Sequence, residues 1–422
     1  MKKKLLILGA TTETIFMVNK AEEMGIETYV VDPYKNSPAK QYSSHPIDVD
    51  CFDIDAMLYL IKQNNIDGVL PGCADILVPV YEEICRRSSK FCYVSENIVR
   101  VFGNKKGLKD MLVKHGLPVI QEYSYEEVTS LSFRDYPIFI KPTDNNSSKG
   151  MSVVYNADDF ASAYKKAIDN SRSKTVLIEK YMTCNDFFMG FVLQNGQVSV
   201  SFTSDRFVNT EQKGVGTITQ GMIYPSRFSD LYFSTAHSKM LDIFKELDFK
   251  NGILHIQGFV DEDGIKFYDP ALRITGGQEY LFLEKVNEFD LLKCLISFAI
   301  TGQMSNADIS LSCDHRFNGK YACNLAFSVK EGRIGRIDGI DYAKSHKNVI
   351  NVTQEHFVGD LIDKVGTAQQ NFSRMHLLAD NSEEMAKTIC DLQKHVIAYD
   401  NEGNNLMLKG LNANRWLKES KR

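Results

Sequence analysis

Over residues 1 to 95 the sequence alternates between short apolar runs and stretches with helical spacing. "KLLILGA", "IETYVVD", "IDGVLPG" and "KFCYVS" predict strands. "TIFMVNKAEEMG", "DIDAMLYLIKQNN" and "ILVPVYEEICRRSS" predict the helices between them. Strands separated by helices of this length predict a parallel sheet with helices on both faces. The opening "MKKKLLILGATTET" has too short an apolar run and no cleavage pattern for a signal peptide, so it predicts the first strand. Gly9 follows that strand and Asp32 ends the second, but the turn reads "GATTET" rather than GxGxxG. Without the second and third glycines a pyrophosphate cannot approach the backbone closely, which argues against a dinucleotide site. The expectation is an open α/β domain that supplies one wall of a cleft.

Beyond residue 100 the texture changes. "NKKGLKDMLVKHGLP" predicts a helix stopped by Gly116 and Pro118. Short strands, a polar loop and the helix "DDFASAYKKAIDNS" follow, then the strand "TVLIEKYM". Two strands meet at Asn195-Gly196, a strong hairpin signal, and residues 251 to 277 predict another hairpin with its exit loop. After residue 300 more strands and the helix "SEEMAKTICDLQKHV" appear. The expected division of the 422 residues is 1–100, 101–302 and 303–422. A net charge of -5 with both signs interspersed argues against nucleic acid or a membrane surface as the main partner. No apolar stretch reaches the ~18 residues of a membrane span. The nine cysteines are scattered without a CxxC pair, which predicts reduced thiols in a cytoplasmic protein rather than a zinc site.

The chemistry begins at "YPIFIKPTDNNSSKGMSVVY", residues 136 to 155. A strand ends in Lys141, and a loop too long for a plain hairpin follows it. That loop offers backbone N–H groups and the hydroxyls of Ser147 and Ser148, and it closes on Gly150. Lys105, at the start of a helix, adds a second charge. Two lysines and a donor-rich loop suit a phosphate, because amides and point charges meet its oxygens directly. Alone the signal is weak, since exposed lysines and polar loops are usually solvated. Downstream, "LIEKYM" ends a strand with Glu179, Lys180, Tyr181 and Met182. Its backbone suits a purine edge, and Asp186, seven residues after Glu179, suits ribose hydroxyls.

The ordered set "NK" at 104–105, "IKP…SSKG" at 140–150, "IEKYM…D" at 178–186 and "Q…YDPALR" at 257–273 resembles the ATP-grasp superfamily. The similarity is to its biotin carboxylase, carbamoyl-phosphate synthetase and phosphoribosylglycinamide synthetase-like branch. The resemblance implies a mixed α/β and α+β chain: an ATP-grasp fold with a Rossmann-like domain before it and a closing domain after it. It further implies ATP and Mg²⁺. Lys105 and Lys141 would hold phosphates beneath the 147–150 loop. Glu179, Lys180 and Met182 would meet adenine largely through backbone groups, and Asp186 would hold ribose. Lys106 is the alternative to Lys105, and a strand-end surface charge is the alternative for Glu179.

The sequence departs from the family at the metal site. Members usually carry an acidic residue on one strand and ExNxR on the next. Here the equivalents are Gln257, Asp269, Ala271 and Arg273. Gln257 faces Asp269 if the hairpin loop is the three residues Glu262-Asp263-Gly264, and a one-residue slip would flip it to the other face. Asp269 and Gln257 are the expected metal ligands, a weaker set than usual. Arg273 is expected to stabilise a transferring phosphoryl group or an acyl-phosphate, its alternative being a structural ion pair. His255 shares the Gln257 face and should border the cleft. Arg206 and Lys213 lie in a long Gly- and Thr-rich segment suited to a lid or a substrate contact.

The resemblance implies an ATP-dependent carboxylate–amine ligase that forms an acyl-phosphate from a small carboxylate and passes it to an amine. Lys141 and Arg273 carry the expected catalytic charge. The alternatives are a bicarbonate-activating, carboxylase-like enzyme and an ATP-binding module whose metal site has weakened. A homodimer is a family-level expectation.

Overall fold

The computed structural model describes residues 2–143, 150–209 and 218–420. The chain begins with four strands, β1 (Lys4–Leu8), β2 (Glu27–Val31), β3 (His45–Ile47) and β4 (Gly68–Pro71). They form a parallel sheet in the order β3-β2-β1-β4. Helices α1 (Ile15–Glu23), α2 (Ile54–Asn64) and α3 (Leu77–Ser88) connect and follow them. Leu5 to Leu8 are wholly buried, as a strand covered on both faces requires. The carboxylate of Asp32 is taken up locally by the N–H groups of Ala10 and Tyr34 and by the Ser37 hydroxyl.

One expected strand is missing. Residues 90–95 run as irregular chain with a bend at Tyr93, and β4 remains the sheet's edge strand. Their apolar side chains pack instead: Tyr93 and Val94 are buried, and the Tyr93 hydroxyl donates to the Leu272 carbonyl.

Helices α4 (Glu96–Phe102) and α5 (Lys105–Lys114) lead into a small three-stranded sheet. It consists of β5 (Ile138–Pro142), β6 (Ser152–Val154) and β7 (Val176–Lys180) in the order β6-β5-β7. The several short strands expected before the polar loop reduce to β5, with a helix at Tyr125–Thr129 and a lone bridge between Glu122 and Glu179. Ile138, Ile140, Val154 and Ile178 form this sheet's own core with Phe160 and Ala163.

The largest sheet is antiparallel. It contains β8 (Asn185–Gln194), β9 (Gln197–Val208), β10 (Thr219–Tyr224), β11 (Gly252–Asp261), β12 (Gly264–Ala271) and β13 (Tyr321–Ser328). Two later strands complete it. If the two-residue strands are numbered in passing as β14 (Gly332–Arg333) and the next as β15 (Arg336–Asp338), these are β16 (Val349–Gln354) and, after β17 (Leu361–Ile362), β18 (Asn371–Ala379). The order is β12-β11-β8-β9-β10-β13-β18-β16, so one ladder crosses residue 302. The β8–β9 hairpin turns at Asn195-Gly196 as expected, both residues having positive φ (52° and 84°).

The β11–β12 hairpin reaches the expected register by a different route. Asp261 pairs with Gly264, so the turn is the two residues Glu262-Asp263 rather than three. Gln257 nevertheless faces Asp269 and His255 faces Ala271, because the ladder slips between Gly258–Phe267 and Gln257–Asp269. Tyr268 is the extra residue of this bulge, and it restores the face that the tighter turn would have reversed.

One hydrophobic core joins the first sheet to the large one, combining Leu5, Ile7, Val69 and Leu70 with Phe187, Phe191, Ile256 and Leu295. A second core lies under the C-terminal strands and includes Phe372, Ile389 and Trp416. Among the described residues no helix is long and apolar enough to cross a membrane.

Candidate active site

Helix α5 starts where Asn104 caps it, its side-chain oxygen accepting from the N–H groups of Lys106 and Gly107. Lys105 and Lys109 are four residues apart and therefore share one face. Lys109, only 8% exposed, places Nζ 2.9 Å from Glu179 Oε1 and 3.2 Å from Glu122. From the small sheet, Lys141 places Nζ 2.6 Å from Glu179 Oε2. Strand alternation explains this approach. Phe139 pairs with Glu179 and Lys141 with Leu177, so Lys141 and Glu179 share the face opposite Ile138, Ile140 and Ile178.

Burial alone would raise the Glu179 carboxyl, but the charges of Lys141 and Lys109 overcome it and hold it below the usual carboxylate range. Glu179 therefore acts through its side chain on two lysines. Lys105, Lys109, Lys141, Glu179 and Tyr268 line a single cavity. Lys105 also reaches Asp269, Nζ to Oδ1 at 3.8 Å. Lys106 is engaged instead by Asp110 and Glu122.

The adjoining face of the large sheet carries Gln257, Asp269, Tyr268, Asp186 and Arg206. The Tyr268 hydroxyl donates to Gln257 Oε1 at 2.6 Å and lies 3.4 Å from Asp186 Oδ1. Asp186 pairs with Arg206, its partner across the β8–β9 ladder. Burial pushes the Asp186 carboxyl above its usual range despite that arginine. The Arg206 Nε atom has no hydrogen-bond partner among the described residues. Asp269 is the accessible carboxylate of the group, its side chain 47% exposed. Among the described residues no three His, Cys, Asp or Glu side chains cluster as a metal site. A carboxylate and an amide oxygen paired across two strands fit a magnesium ion that takes most of its ligands from phosphates and water.

Beyond β12, Arg273 Nη2 lies 2.7 Å from Asp75 on the loop after β4, and Nη1 donates to the Ile274 carbonyl. The turn that follows is tied to the large sheet. Asn324 and His376 each meet the Gly277 carbonyl at 2.8 Å, Thr353 donates to Gln278, and Arg374 donates to the Gly276 carbonyl. His255 shares the Gln257 face but is buried edge-to-face against Phe188, and burial drives its pKa well below the ordinary value. It is a packed neutral histidine and does not border the cleft.

Of the other residues singled out from sequence, Ser147, Ser148 and Lys213 lie outside the described residues. Gly150 has φ +77°, and a Cβ there would come within 2.6 Å of the Asn170 Cβ, so both conformation and space require glycine. Lys180 is exposed at the end of β7, its N–H donating to the Gln121 carbonyl, and Met182 is half-buried. Two participants were missed. Lys109 was detectable from its helical spacing to Lys105. Tyr268 had no sequence signal, because its position depends on the bulge.

Comparison with known proteins bears on the fold that carries this site. The family model "D-ala D-ala ligase C-terminus" matches residues 111–267. The formate-dependent phosphoribosylglycinamide formyltransferase of Sulfurisphaera tokodaii is 28% identical over 239 residues, covering 55% of this chain and 56% of the relative. The chain thus spans about half the length of the curated relatives it matches first. The L-amino acid ligase of Bacillus licheniformis superposes with a TM-score of 0.78 at 15% identity, covering 94% of this chain and 99% of the other. The biotin carboxylase of Campylobacter jejuni gives 0.71 at 15% identity over 100% and 96%. The chain has the ATP-grasp fold. In ATP-grasp terms, β5 to β7 form the small sheet that carries Lys141, and β8 to β12 form the platform that carries Asp186, Gln257 and Asp269.

Proposed function

We propose that this ATP-grasp protein is an ATP-dependent ligase that activates a small carboxylate as an acyl-phosphate and joins it to an amine. The observation that carries the reading is the convergence of Lys105, Lys109 and Lys141 on one cavity beside Asp269. Lys109 and Lys141 share Glu179, Glu122 also meets Lys109, and Lys105 stands 3.8 Å from Asp269, so three ammonium groups gather where the oxygens of a phosphate would meet them. The named relatives support the reaction class, since a formate-dependent formyltransferase and an amino acid ligase both consume carboxylates.

In this reading Lys105 and Lys141 contact phosphate oxygens, with Ser147, Ser148 and Gly150 contributing donors beside them. Lys109 works through Glu179 and fixes the position of Lys141. The end of β7 at Glu179 and Lys180, with Met182 just beyond it, would face adenine, and Asp186 would face ribose. Bound ATP supplies the phosphoryl group that turns a carboxylate into a good electrophile. Asp269 and Gln257 would hold a magnesium ion, whose charge would offset that of the phosphates. Arg273 stabilises the negative charge that develops on the activated carboxyl group. The protein's main contribution is positioning and charge neutralisation.

The test is ADP formation across a matrix of acids and amines with magnesium present. Turnover that requires one acid and one amine together supports the ligase. Lys141→Ala should weaken ATP binding by calorimetry at least about tenfold, the loss of ~1.4 kcal/mol of charge-assisted contact. Absence of ATP binding at millimolar titrant, or unchanged binding in Lys141→Ala, overturns the reading.

A further inference from the structure

The large sheet forks beside β13, and the fork encloses a cavity. β10 pairs with β13 from Tyr224–Ala322 to Gly221–Leu325 and then leaves it. A stretch near the C-terminus takes its place along the same edge. Leu408 donates its N–H to the Ser328 carbonyl, Lys330 donates to the Leu406 carbonyl, and Met407 bridges to Val329. Gln220 spans the gap between the two branches. It is the extra residue of a bulge between Thr219 and Gly221, which frees it from the β9 ladder, and its Nε2 donates to the Lys409 carbonyl at 2.8 Å. Gln393, on the helix Ser382–His395, donates to the Leu411 carbonyl and fixes the end of the second branch.

The cavity measures about 250 Å³, at the small end of the range for metabolite pockets. It shares no lining residue with the cavity of Lys105 and Lys141. Ile218, Ile397, Met407 and Leu408 give it apolar walls. The polar lining is amide and hydroxyl: Asn209, Gln220, Ser328, Gln393 and Asn405. Among the described residues Lys409 is the one charged group that lines it. An ammonium or a metal ion therefore finds no counter-charge there, and a ligand of several negative charges finds a single lysine. Asn405 spends its carbonyl oxygen on the Met407 N–H, and Gln220 spends an N–H on Lys409. What these two amides keep is one donor group, the Asn405 NH₂, and one acceptor, the Gln220 oxygen. Apolar walls with an amide donor and an amide acceptor fit a flat, uncharged ring that has both kinds of group on its edge. Asn and Gln side chains meet the edges of nucleobases in this way.

We infer that the fork cavity binds the nucleobase of a nucleoside or nucleotide, at a second site separate from the proposed ATP site. Ile218 and Leu408 pack on the ring, and Gln220 and Asn405 meet its edge. Lys409 is the lining group suited to a 5′-phosphate, so a nucleoside and its monophosphate share the base contacts and differ in that one. The inference goes beyond the ligase reading and does not depend on it. No residue assigned to ATP, magnesium or the acyl-phosphate takes part.

The experiment titrates the full chain by calorimetry with adenosine, guanosine, cytidine and uridine, each beside its 5′-monophosphate. ADP and magnesium are present throughout to occupy the ATP site. The expected result is binding of at least one nucleoside, with its monophosphate binding as well or better, and a preference among the four bases. Leu408→Trp, which fills the cavity, should abolish that binding. Asn405→Ala should weaken it about three- to tenfold, the loss of one hydrogen bond to the base. Asn405 is exposed, so this variant should melt with the parent and carries the test even where Leu408→Trp does not fold. Lys141→Ala should leave nucleoside binding unchanged. Absence of binding by every nucleoside at millimolar titrant overturns the inference. So does equal affinity for all four bases, or binding of a monophosphate whose nucleoside does not bind. Binding that falls in Lys141→Ala and persists in Asn405→Ala places the ligand in the ATP site and overturns it too.

Discussion

Glu179 shows what a buried charge does at the scale of one residue. Each of its oxygens holds a lysine, so removing its charge strands two cations in a poorly solvated place. Glu179→Gln should destabilise the fold by about 3–5 kcal/mol, read from denaturant midpoints at neutral pH. Its carboxyl is depressed below the unfolded value of ~4.3. The stability it contributes is therefore full above that pH and is lost as pH falls through the folded value. Parent and variant curves should converge only in strong acid. His376 sets an earlier acid limit. Burial lowers its pKa to about 4, while its Nε2 stays within hydrogen-bond distance of the Gly277 carbonyl. With an unfolded value of ~6.5, the neutral ring contributes stability that is complete above pH ~6.5 and disappears as pH falls toward 4, roughly 3 kcal/mol in all. His376→Gln should flatten the stability profile across that window. At the metal position, Gln257→Glu would set a second carboxylate opposite Asp269. Several-fold less magnesium should then give half-maximal nucleotide binding, and an unchanged magnesium requirement would move the ion elsewhere. Lys141 was legible in the sequence because it ends a recognisable strand, and Asp269 because it stands in the "YDPALR" stretch that resembles the family's metal motif. The side-chain role of Glu179 was not, because it depends on Lys109 approaching from a helix 70 residues away in sequence.

Elements set the positions of these side chains. Helix α5 carries Lys105 and Lys109 from its first turns, and Asn104 satisfies two of its leading N–H groups. Asn104→Ala should cost about 1 kcal/mol in unfolding free energy, while Asn104→Ser, which keeps an acceptor, should cost only a few tenths. If the cap also positions the lysines, Ala but not Ser will lower ATP affinity. The helix was readable from its periodicity and stop signals, and the β8–β9 hairpin from Asn195-Gly196. The β11–β12 register was inferred correctly from a turn that the chain does not use. Its actual determinant is the bulge at Tyr268, an extra residue fixed by packing and by the hydrogen bond to Gln257, neither of which leaves a local sequence pattern. The run at 90–95 has strand-like composition, but its apolar side chains are drawn instead into packing beside Leu272, where Tyr93 and Val94 are buried.

For the whole molecule, the question is what holds the first sheet against the platform so that Asp75 on the one reaches Arg273 beyond the other. Part of the answer is Gly68, the first residue of β4, packed against the helix Leu291–Thr301 that follows the hairpin. A Cβ on Gly68 would lie 2.3 Å from the Ala299 carbonyl oxygen and 2.6 Å from its carbon. Those atoms are backbone, so no side-chain rearrangement can relieve the clash, and the helix would have to move. The same contact belongs to the core that unites the two sheets, which is why the pre-platform region is not an independent bead on the chain. Gly68→Ala should therefore destabilise by about 1–3 kcal/mol in denaturant unfolding, the usual effect of forcing an extra methyl into a packed interior. It should do so in a single transition that includes the platform. Adding Ala299→Gly should not restore stability, because the obstructing atoms remain. Rescue by that second change would mean the side chains, not the backbones, set the distance between the sheets. A separate early transition of the first sheet would mean that the two sheets are independently stable parts.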